Sequence, residues 1–188
     1  MQTAGFVLVG GQSRRMGRDK ALLPWRSGVL VQDVASLAAA AAGGAVLVGN
    51  PERYIHLGLR CIMDIRPGLG PLSGIETALH SRLGDYNLVL ACDMPDVGVQ
   101  HLAELLRLAQ WMDVRCVVTQ DEAGRVHPLC AVYRLDCLPA VSKALDERRL
   151  KLLDLVDELG AEKVCSRSPV RNVNTAEEWE AARTAHGF

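Results

Sequence analysis

The chain has 188 residues, 49% of them apolar and 23% charged, which is enough to bury a sizeable core and argues against extended disorder. Its formal net charge of -1 excludes the basic excess that a general nucleic-acid or membrane-surface binder needs. No apolar run approaches the ~18–20 residues that cross a bilayer, and Val7 to Val9 run straight into glycines rather than toward a cleavage site, so a cytoplasmic protein is expected.

Short apolar runs alternate with longer stretches of helical period, the pattern of an α/β sheet. Ala4–Val9 reads as a first strand, and Leu30–Ala42 as an alanine-rich helix closed by Gly43 and Gly44. Ala45–Val48 and Arg60–Met63 follow as strands, and Gly74–Arg82 as a helix after a turn rich in glycine and proline. Asn87–Cys92 shows no alternation, so both of its faces should be buried. Val99–Trp111 reads as a helix with Leu102, Leu105, Leu106 and Ala109 on one side. Val114–Thr119 and Leu129–Tyr133 are further strands, Asp136–Leu145 and Leu150–Leu159 further helices. A last helix is expected over Thr175–Ala185, capped by Asn174 or Thr175 with Glu177 or Glu178 as capping-box partner. No repeat, low-complexity tract or long linker divides the chain. The expectation is a single α/β domain over residues 1–188, a doubly wound and mostly parallel sheet with helices on both faces.

The six cysteines (Cys61, Cys92, Cys116, Cys130, Cys137, Cys165) show no CxxC spacing, which speaks against a zinc site. Cys61, Cys92, Cys116 and Cys130 sit in or beside apolar runs, where a reduced thiol packs as a small hydrophobe.

Chemistry concentrates in LVGGQSRRMGRDK, Leu8 to Lys20. A buried strand opening into Gly10 and Gly11 lets backbone N–H groups approach a ligand closely. Arg14, Arg15, Arg18 and Lys20 follow with the single carboxylate Asp19, and that crowd of cations needs an anion between them. No Gly-Lys-Ser/Thr closes the loop, and Gly10, Gly11 and Gly17 lack dinucleotide-fingerprint spacing. Arg14, Arg15 and Lys20 are the expected phosphate contacts. Lys20, with Arg15, would offset charge developing at a transferring phosphoryl group.

In an open parallel sheet, ligands bind beyond the C-terminal ends of strands, where strand order reverses. Four polar segments leave strand-like runs here: Gly10–Lys20, Gly49-Asn50, Asp64 onward and Asp93 onward. All four should meet at one edge. Asp93 in LACDMPD is placed to take Mg²⁺, which often uses one or two protein carboxylates with phosphates and water. Asp64 could contact the ligand or fix its own turn by bonding backbone N–H groups. In PGLGPLSG, residues 67–74, backbone groups could read a flat base edge near Gly70, with Gly74 admitting the base close to the main chain. His127 reads more readily as structural than catalytic. Lys143, Arg148, Arg149 and Lys151 could bind a second anionic substrate or form a solvated face, and Asn172 and Asn174 could touch substrate or cap a helix.

The set LVGGQSRRMGRDKALL, GPLSGIETAL, LACDMPD, HPLCAVY and NVNTAEEW resembles the molybdenum cofactor guanylyltransferases from residue 6 to about residue 180. The loop alone marks a wider nucleotidyltransferase superfamily; GPLSG and NVNT narrow it. The resemblance implies a Rossmann-like fold that transfers GMP from Mg-GTP to molybdopterin-bound molybdenum, with pyrophosphate released. It implies a nucleotide-binding part over about residues 1–100 and an acceptor-binding part over about residues 101–188. Leu8, Val9, Gly10 and Gly11 would contact GTP, Lys20 would match the family's binding lysine, Asp64 its nucleotide-contacting aspartate and Asp93 its magnesium ligand. The family often has Ala where this chain has Val9, and its asparagine after the second strand aligns with Gly49 or Asn50. Molybdoenzymes or other cofactor-biosynthesis proteins would be the protein partners. A cytidylyltransferase of the same chemistry, or a non-catalytic GTP-binding delivery module, remains open from the residues alone.

Overall fold

Strand β1, Thr3–Leu8, sends Phe6 to one face of a sheet and Val7 to the other, and both are fully buried. Such two-sided burial places β1 in the interior of the sheet, with helices on either side. The computed structural model describes residues 1–10, 19–167, 169–173, 175–185 and 187, and the backbone alone of residue 176.

After β1 come a 3-10 turn at Lys20–Leu22, a small hairpin of β2 (Pro24–Trp25) and β3 (Gly28–Val29), and helix α1, Leu30–Ala42. Next are β4 (Ala45–Val48), the short helix α2 (Pro51–Tyr54), β5 (Cys61–Ile62), α3 (Pro71–His80) and β6 (Tyr86–Ala91). The remainder is α4 (Val99–Trp111), β7 (Cys116–Gln120), β8 (Val126–Arg134), α5 (Leu138–Asp146), α6 (Leu152–Glu158), β9 (Glu162–Cys165) and α7 (Ala176–Ala185).

Seven strands form one sheet in the order β5-β4-β1-β6-β8-β7-β9. β1 pairs in parallel with β4 and with β6, and β4 with β5; only β8 runs against its neighbours. Residues of α1, α4 and α7 pack on the face that carries Val7, Leu88 and Leu90. Residues of α3, α5 and α6 cover the face that carries Phe6, Val89 and Val118. A tilted ring pair, Trp25 against Trp179 at 5.2 Å, ties α7 to the β2–β3 hairpin. The mostly parallel, doubly wound expectation holds.

The differences have local causes. Helix α3 begins at Pro71 rather than Gly74, because proline at the first helical position loses no hydrogen bond there. β8 extends beyond Leu129–Tyr133 at both ends and is antiparallel, because β7 and β8 are joined by a turn too short for a parallel crossover. Asp121 and Gly124 build that turn: Asp121 Oδ1 accepts from the Ala123 and Arg125 N–H groups at 3.0 and 2.8 Å, and Gly124 takes φ 81°. β9 and the β2–β3 hairpin are additions to the sequence reading; β9 is largely exposed and offers little apolar signal. The α7 cap is Thr175 with Glu178: Thr175 Oγ1 accepts the Glu178 N–H at 3.1 Å, and Glu178 Oε2 accepts the Thr175 N–H at 3.0 Å. Of the helix-cap candidates, Asn174 lies outside the described residues. All six cysteines are unpaired thiols, and no helix among the described residues is long and apolar enough to cross a membrane.

Candidate active site

Because α1 carries the chain from β1 leftward to β4, while β6 returns on the opposite side of β1, strand order reverses between β1 and β6. The crevice at their C-terminal ends is where the fold itself leaves room for a ligand. A cavity of about 260 Å³ opens there. Its walls come from the exit of β1 (Leu8, Val9, Gly10), the turn at Asp19 and Lys20, Val48 at the end of β4, Asp64 after β5, the start of α3, and Cys92 and Asp93 after β6. Gly10 takes φ 95°, a left-handed turn that a side chain would strain.

Lys20 and Asp93 face one another across this cavity, Nζ to Oδ2 at 3.8 Å. Both are mostly withdrawn from solvent, with 18% and 16% of their side chains exposed. The strap of residues 169–173 crosses beside Asp93, anchored by buried Val170 and Val173. Its Val173 N–H donates to the Asp93 carbonyl oxygen at 2.9 Å. That anchoring brings Asn172 Nδ2 to donate to Asp93 Oδ1 at 3.1 Å. Burial pushes the Asp93 carboxyl above the usual carboxylate range, against the opposing pull of Lys20, its own backbone N–H and Asn172. A carboxylate held in this state gains from a cation. Burial raises the neighbouring Cys92 thiol to about 12, so it stays protonated and is a poor nucleophile.

Other candidates fall into place less directly. Gly11, Arg14, Arg15 and Asn174 lie outside the described residues. Asp64 lines the cavity, yet its Oδ1 accepts from the Arg66 N–H at 3.0 Å, lies 3.3 Å from Thr77 Oγ1 and meets the Ser73 hydroxyl. The turn-fixing reading of Asp64 is therefore realised, at the cavity's edge. Gly70 and Gly74 also line the cavity, but residues 71–74 form the first turn of α3 rather than an irregular loop. The space above Gly74 is filled by Leu8: a Cβ there would stand 2.9 Å from Leu8 Cδ1. The Gly74→Ala variant should accordingly keep its fold, since a leucine tip can move, but push Leu8 into the cavity. A thermal midpoint within a few degrees of wild type, with nucleotide affinity down about tenfold, is the expected pair of measurements.

Asn50 does not line the cavity. Its Oδ1 caps α2 by accepting the Glu52 N–H at 3.0 Å. Next to the first cavity lies a second of about 670 Å³, which shares Leu129 with it and is also lined by Asn172, the donor to Asp93. Arg125, His127 and Lys151 line it together with Met94, Leu152 and Leu153. Of the four cations considered for a second substrate, this cavity takes only Lys151; Arg149 is occupied by Glu147 and Glu158, each at 2.8 Å. His127 Nε2 lies 3.0 Å from Asp121 Oδ2 and is tied into the β7–β8 turn. Arg125 and Leu129 were not singled out by sequence; the hairpin that delivers both is signalled by Asp121 and Gly124.

Comparison with known proteins places this arrangement. The profile of the MobA-like NTP transferase domain family matches residues 5–162. A Clostridium perfringens protein named probable molybdenum cofactor guanylyltransferase is 30% identical over 192 aligned positions, covering 96% of this chain and 96% of its own. A Mycobacterium tuberculosis protein of the same name is 34% identical over 181 positions, covering 92% of this chain and 89% of its own. The crystal structure of molybdopterin-guanine dinucleotide biosynthesis protein A from Archaeoglobus fulgidus superposes with a TM-score of 0.82 at 22% identity, over 97% of this chain and 98% of that one. That likeness establishes the fold. A family profile matched along most of the chain, together with relatives that align over nearly its whole length, makes this chain a member of the MobA-like NTP transferase domain family and a nucleotidyltransferase.

Proposed function

We propose that the chain transfers GMP from Mg-GTP to molybdopterin-bound molybdenum cofactor, releasing pyrophosphate and forming the guanine dinucleotide cofactor. One observation carries the reading: Lys20 and Asp93, from the exits of two neighbouring parallel strands, meet within 3.8 Å in a cavity at the switch point. The names of the C. perfringens and M. tuberculosis relatives support the choice of acceptor and base.

The triphosphate would lie over Gly10 and Lys20, with Arg14 and Arg15 as the further proposed phosphate contacts and the base toward Asp64 and Gly70. The acceptor would occupy the adjoining 670 Å³ cavity, its phosphate facing Arg125 and Lys151. This divides the chain into a nucleotide part up to about residue 100 and an acceptor part beyond it, with Asn172 beside Asp93 on the seam. A terminal phosphate oxygen of the acceptor attacks the α-phosphorus of GTP in line, the bond to the bridging oxygen breaks, and pyrophosphate leaves. The attacking oxygen is already anionic, so no strong general base is needed and the protein supplies alignment and charge neutralisation. Lys20 offsets charge on the equatorial oxygens as it develops. Asn172 holds Asp93 Oδ1, which leaves Oδ2 directed to Lys20 and the cavity.

The residues present fit a magnesium ion. Asp93 is a partly buried carboxylate whose charge the surroundings disfavour, and no group of three His, Cys, Asp or Glu side chains is assembled for a metal among the described residues. Such a donor set suits an ion that completes its shell with substrate phosphates and water. Asp93 would hold the magnesium ion, which would supply neutralisation of the phosphate charge.

Pyrophosphate release measured with GTP and with CTP, in the presence of Mg²⁺ and molybdopterin-bound cofactor, tests the proposal. GTP-dependent release with the guanine dinucleotide as product is expected. Preference for CTP would make the chain a cytidylyltransferase, and tight GTP binding without turnover would leave a delivery module.

A further inference from the structure

Tyr54 has no part in the reaction just described, yet it is one of the largest fully buried side chains. Its hydroxyl donates to Asp19 Oδ2 at 2.9 Å. Arg53 Nη2 reaches the same oxygen at 3.0 Å, and Asp19 Oδ1 accepts the Ala21 N–H at 3.1 Å. Asp19 thus receives three donors, two of them from helix α2 on the next strand's exit. Burial, followed by the Asp19 carboxylate, raises the Tyr54 phenol above its ordinary value, so it remains a donor.

Asp19 needs this attention because of where it stands. It lines the cavity immediately before Lys20 and caps the 3-10 turn Lys20–Leu22. A carboxylate with open lone pairs at that point would repel a triphosphate and compete for the lysine ammonium. Three donors to those lone pairs, one of them the Arg53 guanidinium, offset the carboxylate's charge. The cap in turn sets where the turn begins, and therefore where the Lys20 side chain leaves the backbone.

We propose that Tyr54 is a positioning residue for Lys20, acting through Asp19: the hydroxyl holds the capping carboxylate, and the carboxylate holds the turn that aims the ammonium at the substrate phosphates. Asn50 serves the same device one step earlier, by capping the helix that carries Arg53 and Tyr54. The inference rests on the reading of Lys20 as a phosphate contact. It extends that reading to residues that touch no substrate.

A double-mutant cycle on the full-length chain tests it, with Tyr54→Phe, Lys20→Met and the two combined. The readouts are kcat and KM for Mg-GTP from pyrophosphate release, nucleotide affinity by calorimetry, and the thermal midpoint. Tyr54→Phe keeps the ring and removes only the hydroxyl. It should lower kcat about tenfold while KM moves less than about twofold, since small misplacements of a reacting group are costly in rate. In the Lys20→Met background the same change should cost less than about twofold, because residues acting in one chain are not additive. An equal loss in both backgrounds, or an unchanged kcat in Tyr54→Phe, would overturn the positioning role. Arg53→Gln provides a second arm, since that side chain is 52% exposed and its loss cannot empty the core. A loss of about threefold, confined to the Lys20 background, is expected of it, and an additive loss would count against the proposal even if Tyr54→Phe does not fold. Wild-type kcat and nucleotide affinity in Lys20→Met would instead overturn the phosphate reading of the cavity.

Discussion

The Asp93→Ala variant is expected to fold and to show no measurable pyrophosphate release at any magnesium concentration. The fold survives because Asp93 lies beyond the end of β6, and its backbone carbonyl, which receives the Val173 N–H, is untouched by the change. Turnover is lost because the Asp93 side chain, mostly withdrawn from solvent, faces Lys20 in the cavity proposed to hold the triphosphate. Near-normal magnesium-dependent release in a correctly folded Asp93→Ala protein would remove the metal assignment. A second measurement uses the sign of the pKa shift. In the folded chain Asp93 titrates above its unfolded value, so its ionised form weakens the ligand-free fold. No penalty exists at pH below the unfolded carboxylate value, it grows as pH rises to the folded value, and it is complete above that. The ligand-free Asp93→Asn protein, which can still accept from Asn172, should therefore melt at or above wild type at pH 7 and match it in acid. A melting point clearly below wild type at pH 7 would show that Lys20 and Asn172 outweigh burial.

Replacing Lys20 with alanine should reduce the rate constant for phosphoryl transfer by roughly 10²-fold, the usual cost of losing a donor aimed at developing charge. Single-turnover pyrophosphate release with saturating GTP isolates that step from binding. Lys20→Arg should recover only part of the loss, since a planar guanidinium on a longer fork does not reproduce a compact ammonium. The ammonium faces Asp93 at 3.8 Å and its side chain is 18% exposed, which leaves little freedom for a bulkier head group. An unchanged single-turnover rate in Lys20→Ala would place the lysine outside the chemistry, and the cationic loop before it would have to carry the role alone.

Much of the architecture was legible because it follows from short-range rules. Helices α1 and α4 stand at the expected residues, Leu30–Ala42 and Val99–Trp111. Their apolar stripes are uninterrupted, and Gly43, at φ 82°, ends the first. β6 is buried at all six positions, as its lack of alternation implies. Where reading failed, the signal was weak or shared between alternatives. Proline at 71 could belong to a turn or begin a helix, and only the docked α3 decides. Strand β9 carries few apolar residues because one side of this edge strand faces solvent.

By itself the sequence determined the strand-to-loop punctuation: a glycine turn after the first strand, cations beyond it, and an acid at the end of the central strand. Those are properties of neighbouring residues, set by backbone sterics and hydropathy. The tertiary structure alone decided which of these groups meet. Asn172 reaches Asp93 across 79 positions, and Tyr54 reaches Asp19 across 35. Leu8, not a ligand, fills the space that Gly74 leaves open. Contacts of that kind depend on strand order and on the direction in which helices cross the sheet, and no local pattern in the chain encodes them.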